Sequence, residues 1–546
     1  MLLTNTSTRL FVGRDEVLGT LNKRVESLKS GYRQNVALTG QKLCGKTTIL
    51  QRFLATLRDE KVIPVYIEVL TEPFESFAKK FIGTILVNFL KGSCDDARED
   101  LDFLLAKTRE MIPRTTHAIR EVLRLLDKGN NQEAYSALFD LTTVIKDETG
   151  RSCVIILDEF HNLSFFNLKN PFAVFGKKIM VQKDTMYVVS SSQVSSIKRI
   201  LKERLDLLFG NFEIIEIKDF DYSISRHFLD TRLKGVSIQD ELKDFLILFT
   251  DGRPFYIDII AAKMLDLSAR HPERAVDAAL ISEALEDLLF DSRGTVNQYF
   301  QNLTALFTER PQLTNEYLEI LTSLAEHKRR LTQIRSRFTG KKTDLPTRLE
   351  KLLEENIIAK NGVIYYFNDR VFEFWLKCVY NRKRYSMTNI FQDRSDMFRR
   401  EVEGLIARFI EERRVSIDDR IASLMNAFNN EVIILEEKGV KLPKFASVKI
   451  EERLETNGSF MARGSYGTGK TWIFQCCRQQ IDEVTMTGLI ERSKKVSDTA
   501  QKRVVIALGT VDPNALLIAK ENRVWVWKKE DLNFLFSLYS KTKITC

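Results

Sequence analysis

The sequence predicts an α/β fold built on a parallel sheet, and three stretches carry that expectation. The first is the apolar run Val36, Ala37, Leu38, followed by G-x-x-x-x-G-K-T and then by Ile49, Leu50, Phe53 and Leu54 at helical spacing. The second is Val154, Ile155, Ile156, Leu157, apolar at consecutive positions and closed by Asp158 and Glu159. The third is Met186, Tyr187, Val188, Val189, ending in Ser190, Ser191 and Ser192. Strands apolar at successive positions are buried on both faces, which is the habit of parallel sheets covered by helices.

Composition fits such a chain. At 546 residues, three or four domains are expected. The 44% apolar and 29% charged residues are those of a globular protein. No apolar run approaches the roughly 20 residues of a membrane span, so no membrane partner is expected. Met1, Leu2, Leu3, Thr4 and Asn5 lack the basic start of a signal peptide, and the seven cysteines are scattered, without a C-x-x-C pair. Reduced thiols, no zinc site and a cytoplasmic location are therefore expected. The net charge of +9 mildly favours a polyanionic partner.

The loop after the first strand is where chemistry begins. Gly40 and Gly45 allow the backbone N–H groups, Cys44 among them, to curl around an anion, and the helix opening at Lys46, Thr47 and Thr48 adds its positive end. Lys46 would reach the β- and γ-phosphates, and the Thr47 hydroxyl would ligate Mg²⁺. Asp158 stands at the carboxyl end of a buried strand, where ligands sit in such sheets. It would hold Mg²⁺ through water, while Glu159 would polarise the attacking water. An ATP site is the expectation. Asp158, Glu159, Phe160 and His161 also spell the D-E-x-H of some helicases, but no companion helicase motif accompanies them.

The flanking segments carry a family resemblance. Phe11-Val12-Gly13-Arg14-Asp15-Glu16, ahead of the loop, resembles the opening of AAA-type and STAND-type ATPases, where it borders the adenine pocket; Gly13 and Arg14 are its residues here. The strand ending in serines resembles the one whose polar tip senses the γ-phosphate, with Ser191 or Ser192 in that part. Asp251-Gly252-Arg253-Pro254 resembles the G-x-P signature of these families, which implies that Arg253 approaches the nucleotide. Taken together, residues 1–300 resemble the archaeal-ATPase, MNS-like branch of STAND P-loop ATPases. One departure stands out: relatives carry Gly-Arg where this chain has Gly210-Asn211, which places fast hydrolysis in doubt and leaves Arg199 or Arg204 to stabilise charge.

The expected organisation is a P-loop ATPase core over 1–221, with a helical insertion at about 74–146, and a helical lid over 222–308. The insertion is read either as a partner surface or as helices packed on their own domain. Residues 309–385 read as a winged helix-turn-helix: apolar helical faces at Tyr317–Leu324, Leu331–Phe338 and Leu345–Leu353, then a two-stranded wing at 357–367. Basic residues cluster there, and Arg335, Arg337, Lys341, Lys342 and Arg348 are the candidates for duplex DNA, with the third helix in the major groove and the wing on phosphate. Protein interaction is the competing use of such a module.

Residues 386–546 resemble a restriction-endonuclease-like core by their order of strands and helices. Such cores need an Asp on one strand and E-x-K on the next, yet Gln475 and Cys477 stand at the E-x-K positions and residues 459–463 hold no carboxylate. A degenerate nuclease is expected. Residues 464–471 repeat G-x-x-x-x-G-K-T letter for letter, but β-prone Trp472, Ile473 and Phe474 follow, so the stretch reads as a hairpin turn and not as a second nucleotide site. Two functions remain open: an ATP-hydrolysing switch acting on DNA, or an ATP-bound scaffold with a protein partner or second copy of itself.

Overall fold

The computed structural model describes residues 10–91, 100–204, 212–270, 276–305, 311–382, 391–435, 438–454, 459–497 and 500–544. The chain divides into two compact units. One runs to Arg232 and includes Arg253–Asp258 and Glu354–Asn356; the other comprises Leu233–Gly252, Ile259–Leu353 and Ile357 onward.

The first unit is built on five parallel strands: β1 (Asn35–Thr39), β2 (Val62–Glu68), β3 (Ser152–Asp158), β4 (Thr185–Ser191) and β5 (Phe212–Glu216), in the order β2-β3-β4-β1-β5. Consecutive apolar residues serve opposite faces. Val36, Leu38, Val154, Ile156 and Val188 pack with the helices Asp15–Lys29 and Lys46–Thr56. Ala37, Ile155, Leu157, Tyr187 and Val189 pack with the opposite helical layer. This is why the strands show no polar alternation.

That opposite layer is largely the insertion, which forms the helices Phe74–Leu90, Leu101–Thr108, Pro113–Asp127 and Asn131–Thr149. Pro113 opens its helix at a position where a missing N–H costs nothing, and Gly150 ends the last one at φ 72°. Phe77, Phe81, Ile82 and Leu86 are fully buried in the shared core. Phe139 sits at its centre, with ring centroids 5.6 Å from Phe81, 5.1 Å from Tyr135 and Phe175, and 6.4 Å from Tyr187 of β4. Of the two readings of the insertion, packing on its own domain is the one its apolar face follows.

In the second unit, the helix Phe391–Arg414 packs on the helical segment around residues 240–290. Phe398 meets Phe290 at 5.5 Å, Phe409 meets Phe245 at 5.7 Å, and Arg399 pairs with buried Glu286. The helices Pro311–Ala325, Leu331–Arg337 and Leu345–Glu354 are followed by a hairpin of β6 (Ile358–Asn361) and β7 (Ile364–Phe367), the expected element order.

The turn of this hairpin is engaged by another element. It meets a second hairpin, β8 (Glu431–Leu435) and β9 (Lys438–Leu442). The Val363 N–H donates to the Val432 carbonyl at 3.1 Å. The Asn361 side chain donates to the Ile434 carbonyl at 2.9 Å and accepts from the Ile434 N–H at 2.5 Å. Ile364 is buried with Ile421, Ile433 and Leu435 in one core.

The C-terminal sheet comprises β10 (Ser447–Leu454), β11 (Ser459–Tyr466), β12 (Lys470–Cys477), β13 (Lys502–Ala507) and β14 (Trp525–Lys528) in sequential order. Its first two pairings are antiparallel and its last two parallel, the latter linked by the helices Glu483–Val496 and Pro513–Glu521. Residues 464–471 close the β11–β12 hairpin: Tyr466 pairs with Lys470, and Gly467 and Gly469 turn the chain at φ 54° and 75°.

Candidate functional site

The carboxyl ends of β1, β4 and β3 lie side by side, and polar side chains converge there. After Thr39 the chain bends through Leu43 at φ 68° and Gly45 at φ 96° into the helix Lys46–Thr56. The Gly45 position offers the helix no side-chain cap, and its first turn holds no acid, so its N-terminal N–H groups remain available to an anion. Gly40 is required sterically: a Cβ there would meet the Ile217 carbonyl and lie 2.9 Å from the Cys44 sulfur.

Lys46 is 5% exposed and its Nζ donates to the carbonyls of Gly40 and Gln41, both at 2.9 Å. The Thr47 hydroxyl donates to Asp158 Oδ2 at 2.8 Å, which joins the loop to β3. Asp158 also accepts from the Tyr66 hydroxyl at 3.1 Å and from the Ser190 hydroxyl at 2.7 Å. Burial and then the Asp158 charge push the Tyr66 phenol far up, so it stays a donor. Cys44 is buried, and burial likewise raises its thiol, which keeps it neutral. Thr48, by contrast, is exposed.

Each serine at the tip of β4 takes a different partner. Ser190 serves Asp158, Ser191 lies 2.9 Å from His161 Nδ1, and Ser192 donates through its N–H at 3.0 Å and its hydroxyl at 2.8 Å to Glu159 Oε2. Glu159 adopts φ 51°, and its carboxylate also lies 3.3 Å from His161 Nδ1. His161 is 8% exposed, and burial lowers its pKa below the ordinary value of 6.5.

Between the lowered value and 6.5 the unfolded chain binds the extra proton, so stability falls as pH drops through that window. Urea unfolding at pH 7.5 and 5.0 is expected to show a smaller acid loss in His161→Gln than in the parent. Equal losses in the two proteins would remove His161 from the account.

Residues distant in sequence complete the site. Arg14 Nη2 donates to the carbonyls of Lys218 at 2.5 Å and Cys44 at 3.3 Å, with its guanidinium 4.8 Å from the Phe220 ring centre. Gly13, at φ 68°, lies against Ile224, and a Cβ would meet that side chain at 2.5 Å. Arg253 is 5% exposed and donates to Gln41 Oε1 at 2.5 Å and to Asp219 at 3.3 Å. Sequence reasoning missed Gln41, Tyr66, Ser190 and Asp219. Of these, Gln41 lay at an unspecified position of the Gly-rich motif, and Ser190 lay in the serine-ended strand, where Ser191 or Ser192 was expected to act. Gly210 and Asn211, where relatives carry the arginine, lie outside the described residues, as does the Arg204 side chain; Arg199 is 4.0 Å from Glu354.

Several arginines of the basic cluster are paired with acids. Arg337 pairs with Glu326, Arg348 with Glu316 at 2.8 Å, Arg329 with Glu373 at 3.3 Å, and Arg330 with Glu431 at 2.6 Å. The acids come from other elements, beyond the reach of local charge counting. Arg335, Lys341 and Lys342 are exposed, and no salt bridge engages them among the described residues. In the C-terminal sheet, Gln475 and Cys477 are buried on β12, and no group of three His, Cys, Asp or Glu gathers among the described residues.

Residues 11–259 match the family described as "ATPase domain predominantly from Archaea". No curated protein matches the sequence. Among solved structures, the Walker-type ATPase of Pyrococcus abyssi is similar over 69% of this chain and 99% of its own, at 19% identity and a TM-score of 0.48. The Aeropyrum pernix ORC2 protein, solved with ADPNP and ADP, is similar over 73% of this chain and 97% of its own, at 12% and 0.43. The Thermotoga maritima RuvB Holliday junction branch migration motor covers 69% and 99%, at 12% and 0.34. Likenesses of this size identify no particular activity.

Proposed function

We propose that the P-loop ATPase domain of residues 11–259 binds Mg²⁺-ATP, hydrolyses it to ADP and phosphate, and acts as a nucleotide-controlled switch on duplex DNA. The observation that carries the nucleotide reading is the 2.8 Å bond from Thr47 to Asp158, since these are the groups a P-loop site uses to hold its cation. Lys46 exchanges its carbonyl partners for the β- and γ-phosphates, and the N–H groups from Gly45 to Thr48 cradle the chain of phosphates. Mg²⁺, when bound, neutralises charge on the β- and γ-oxygens. Glu159 turns from Ser192 to orient water, Ser191 meets the γ-phosphate side, and Gly13 and Arg14 border the base. Arg253, beside Gln41, is the group that reports nucleotide state.

The DNA half of the proposal rests on the net charge of +9 and on exposed Arg335, Lys341 and Lys342. Neutralising these three with Arg337 is expected to lower the slope of log affinity against log salt by about 3, at roughly 0.9 per phosphate contact. Arg337, already paired, adds little. A slope that does not move removes DNA from the proposal.

A second reading, an ATP-bound scaffold, is favoured by the hold of Ser192 on Glu159, which keeps the water-orienting carboxylate engaged. Phosphate release with and without duplex DNA separates the two. Stimulation by DNA supports the switch; nucleotide retained without turnover supports the scaffold.

A further inference from the structure

The turn that delivers Arg253 is held from the far end of the chain. The helix Asp240–Phe249 ends in a left-handed pair, Asp251 at φ 54° and Gly252 at φ 73°; the Gly252 N–H donates to Ile247 O at 3.1 Å, and Pro254 starts the next helix. Arg253 thus projects from a two-residue reversal between helices. Asp251, within that reversal, forms an ion pair with Lys543.

Lys543 is itself tightly placed. On one side, Ile544 is 2% exposed and exchanges bonds with Asn533, accepting from Nδ2 at 3.0 Å and donating to Oδ1 at 2.7 Å. On the other, Arg420 donates to the carbonyls of Thr542 at 2.6 Å and Lys543 at 3.0 Å. The Thr542 N–H donates to Glu412 at 3.2 Å. A lysine on a loose tail would add little to a neighbouring carboxylate, because ordering its side chain costs what the charge gains. Here the main chain on both sides of Lys543 is already fixed, and its side chain is only 19% exposed.

We propose that Lys543 is a positioning residue for Arg253: its ion pair with Asp251 fixes the Asp251–Gly252 reversal from which Arg253 reaches Gln41. The consequence is that nucleotide turnover depends on a residue remote in sequence that touches no nucleotide. This rests on the reading of Arg253 as the nucleotide-facing arginine, so the test uses one measurement that needs no nucleotide and one that does.

Hydrogen exchange of the peptide over residues 249–257 in the full chain is the first. Lys543→Ala is expected to speed exchange there about tenfold, Lys543→Arg to restore it, and the exchanged pair Asp251→Lys with Lys543→Asp to restore most of it. Parental exchange in Lys543→Ala overturns the proposal. So does acceleration spread over the whole second unit, with no recovery in the exchanged pair, because that would mark a general loss of folding.

ATP turnover is the second. Lys543→Ala is expected to lower kcat about tenfold with KM within twofold, and to add nothing in an Arg253→Ala background. Multiplying effects of the two substitutions overturn the proposal. Local exchange that speeds as expected while Arg253→Ala leaves turnover unchanged preserves the role of Lys543 in the reversal and refutes the nucleotide-facing reading of Arg253 instead.

Discussion

Replacing Lys46 by alanine is expected to abolish measurable ATP binding and lower turnover by at least about 10²-fold, the scale of losing one preorganised charge-stabilising donor. Lys470→Ala is expected to leave both unchanged. The two lysines occupy the same letters of the same pattern, so the difference is one of backbone. Lys46 begins a helix whose N-terminal N–H groups are uncapped, beside Thr47 and Asp158. Lys470 begins a strand, pairs with Tyr466 across a hairpin and is exposed. Its neighbouring N–H groups are directed into a sheet ladder and cannot gather around phosphate. Binding of a fluorescent ATP analogue, with phosphate release measured in parallel, checks both variants. Binding retained in Lys46→Ala, or lost in Lys470→Ala, would move the site to the other end of the chain.

The second large effect is structural. Phe139→Ala is expected to destabilise the first unit by about 3–5 kcal/mol, as for a buried aromatic whose cavity cannot collapse. Four aromatic rings surround it, and one belongs to Tyr187, three residues before Ser190 on β4. The insertion is thus continuous with the strand that presents the serines to Asp158 and Glu159. Chemical denaturation followed by tryptophan-independent circular dichroism would measure the loss; a change below about 1 kcal/mol would make the insertion peripheral.

What was legible in the sequence was local. Consecutive apolar residues announced β1, β3 and β4, and a Gly-rich loop announced the strand–loop–helix turn that holds Lys46 and Thr47, because both signals arise within one or two turns of chain. The β-prone residues after Lys470 likewise separated the hairpin from the strand–loop–helix turn at Lys46. What escaped was long-range pairing. Arg337 and Arg348 look like a free basic surface in sequence, yet their carboxylates come from Glu326 and Glu316, 11 and 32 positions away. The division of labour among Ser190, Ser191 and Ser192 was equally invisible. It depends on which strand lies beside β4, and adjacent serines differ only in the direction in which the pleat points them.

The meeting of β7 with β8 bears on inheritance. Ile364 from one hairpin and Ile433 from the other share a single core, and the Val363 N–H donates to the Val432 carbonyl between them. Neither hairpin could be lost in a descendant without baring apolar side chains of the other, among them Ile364, Ile433 and Leu435. The same core takes in Phe474, Cys476 and Ile506 of the C-terminal sheet, so a truncation that removed the sheet would bare the hairpins as well.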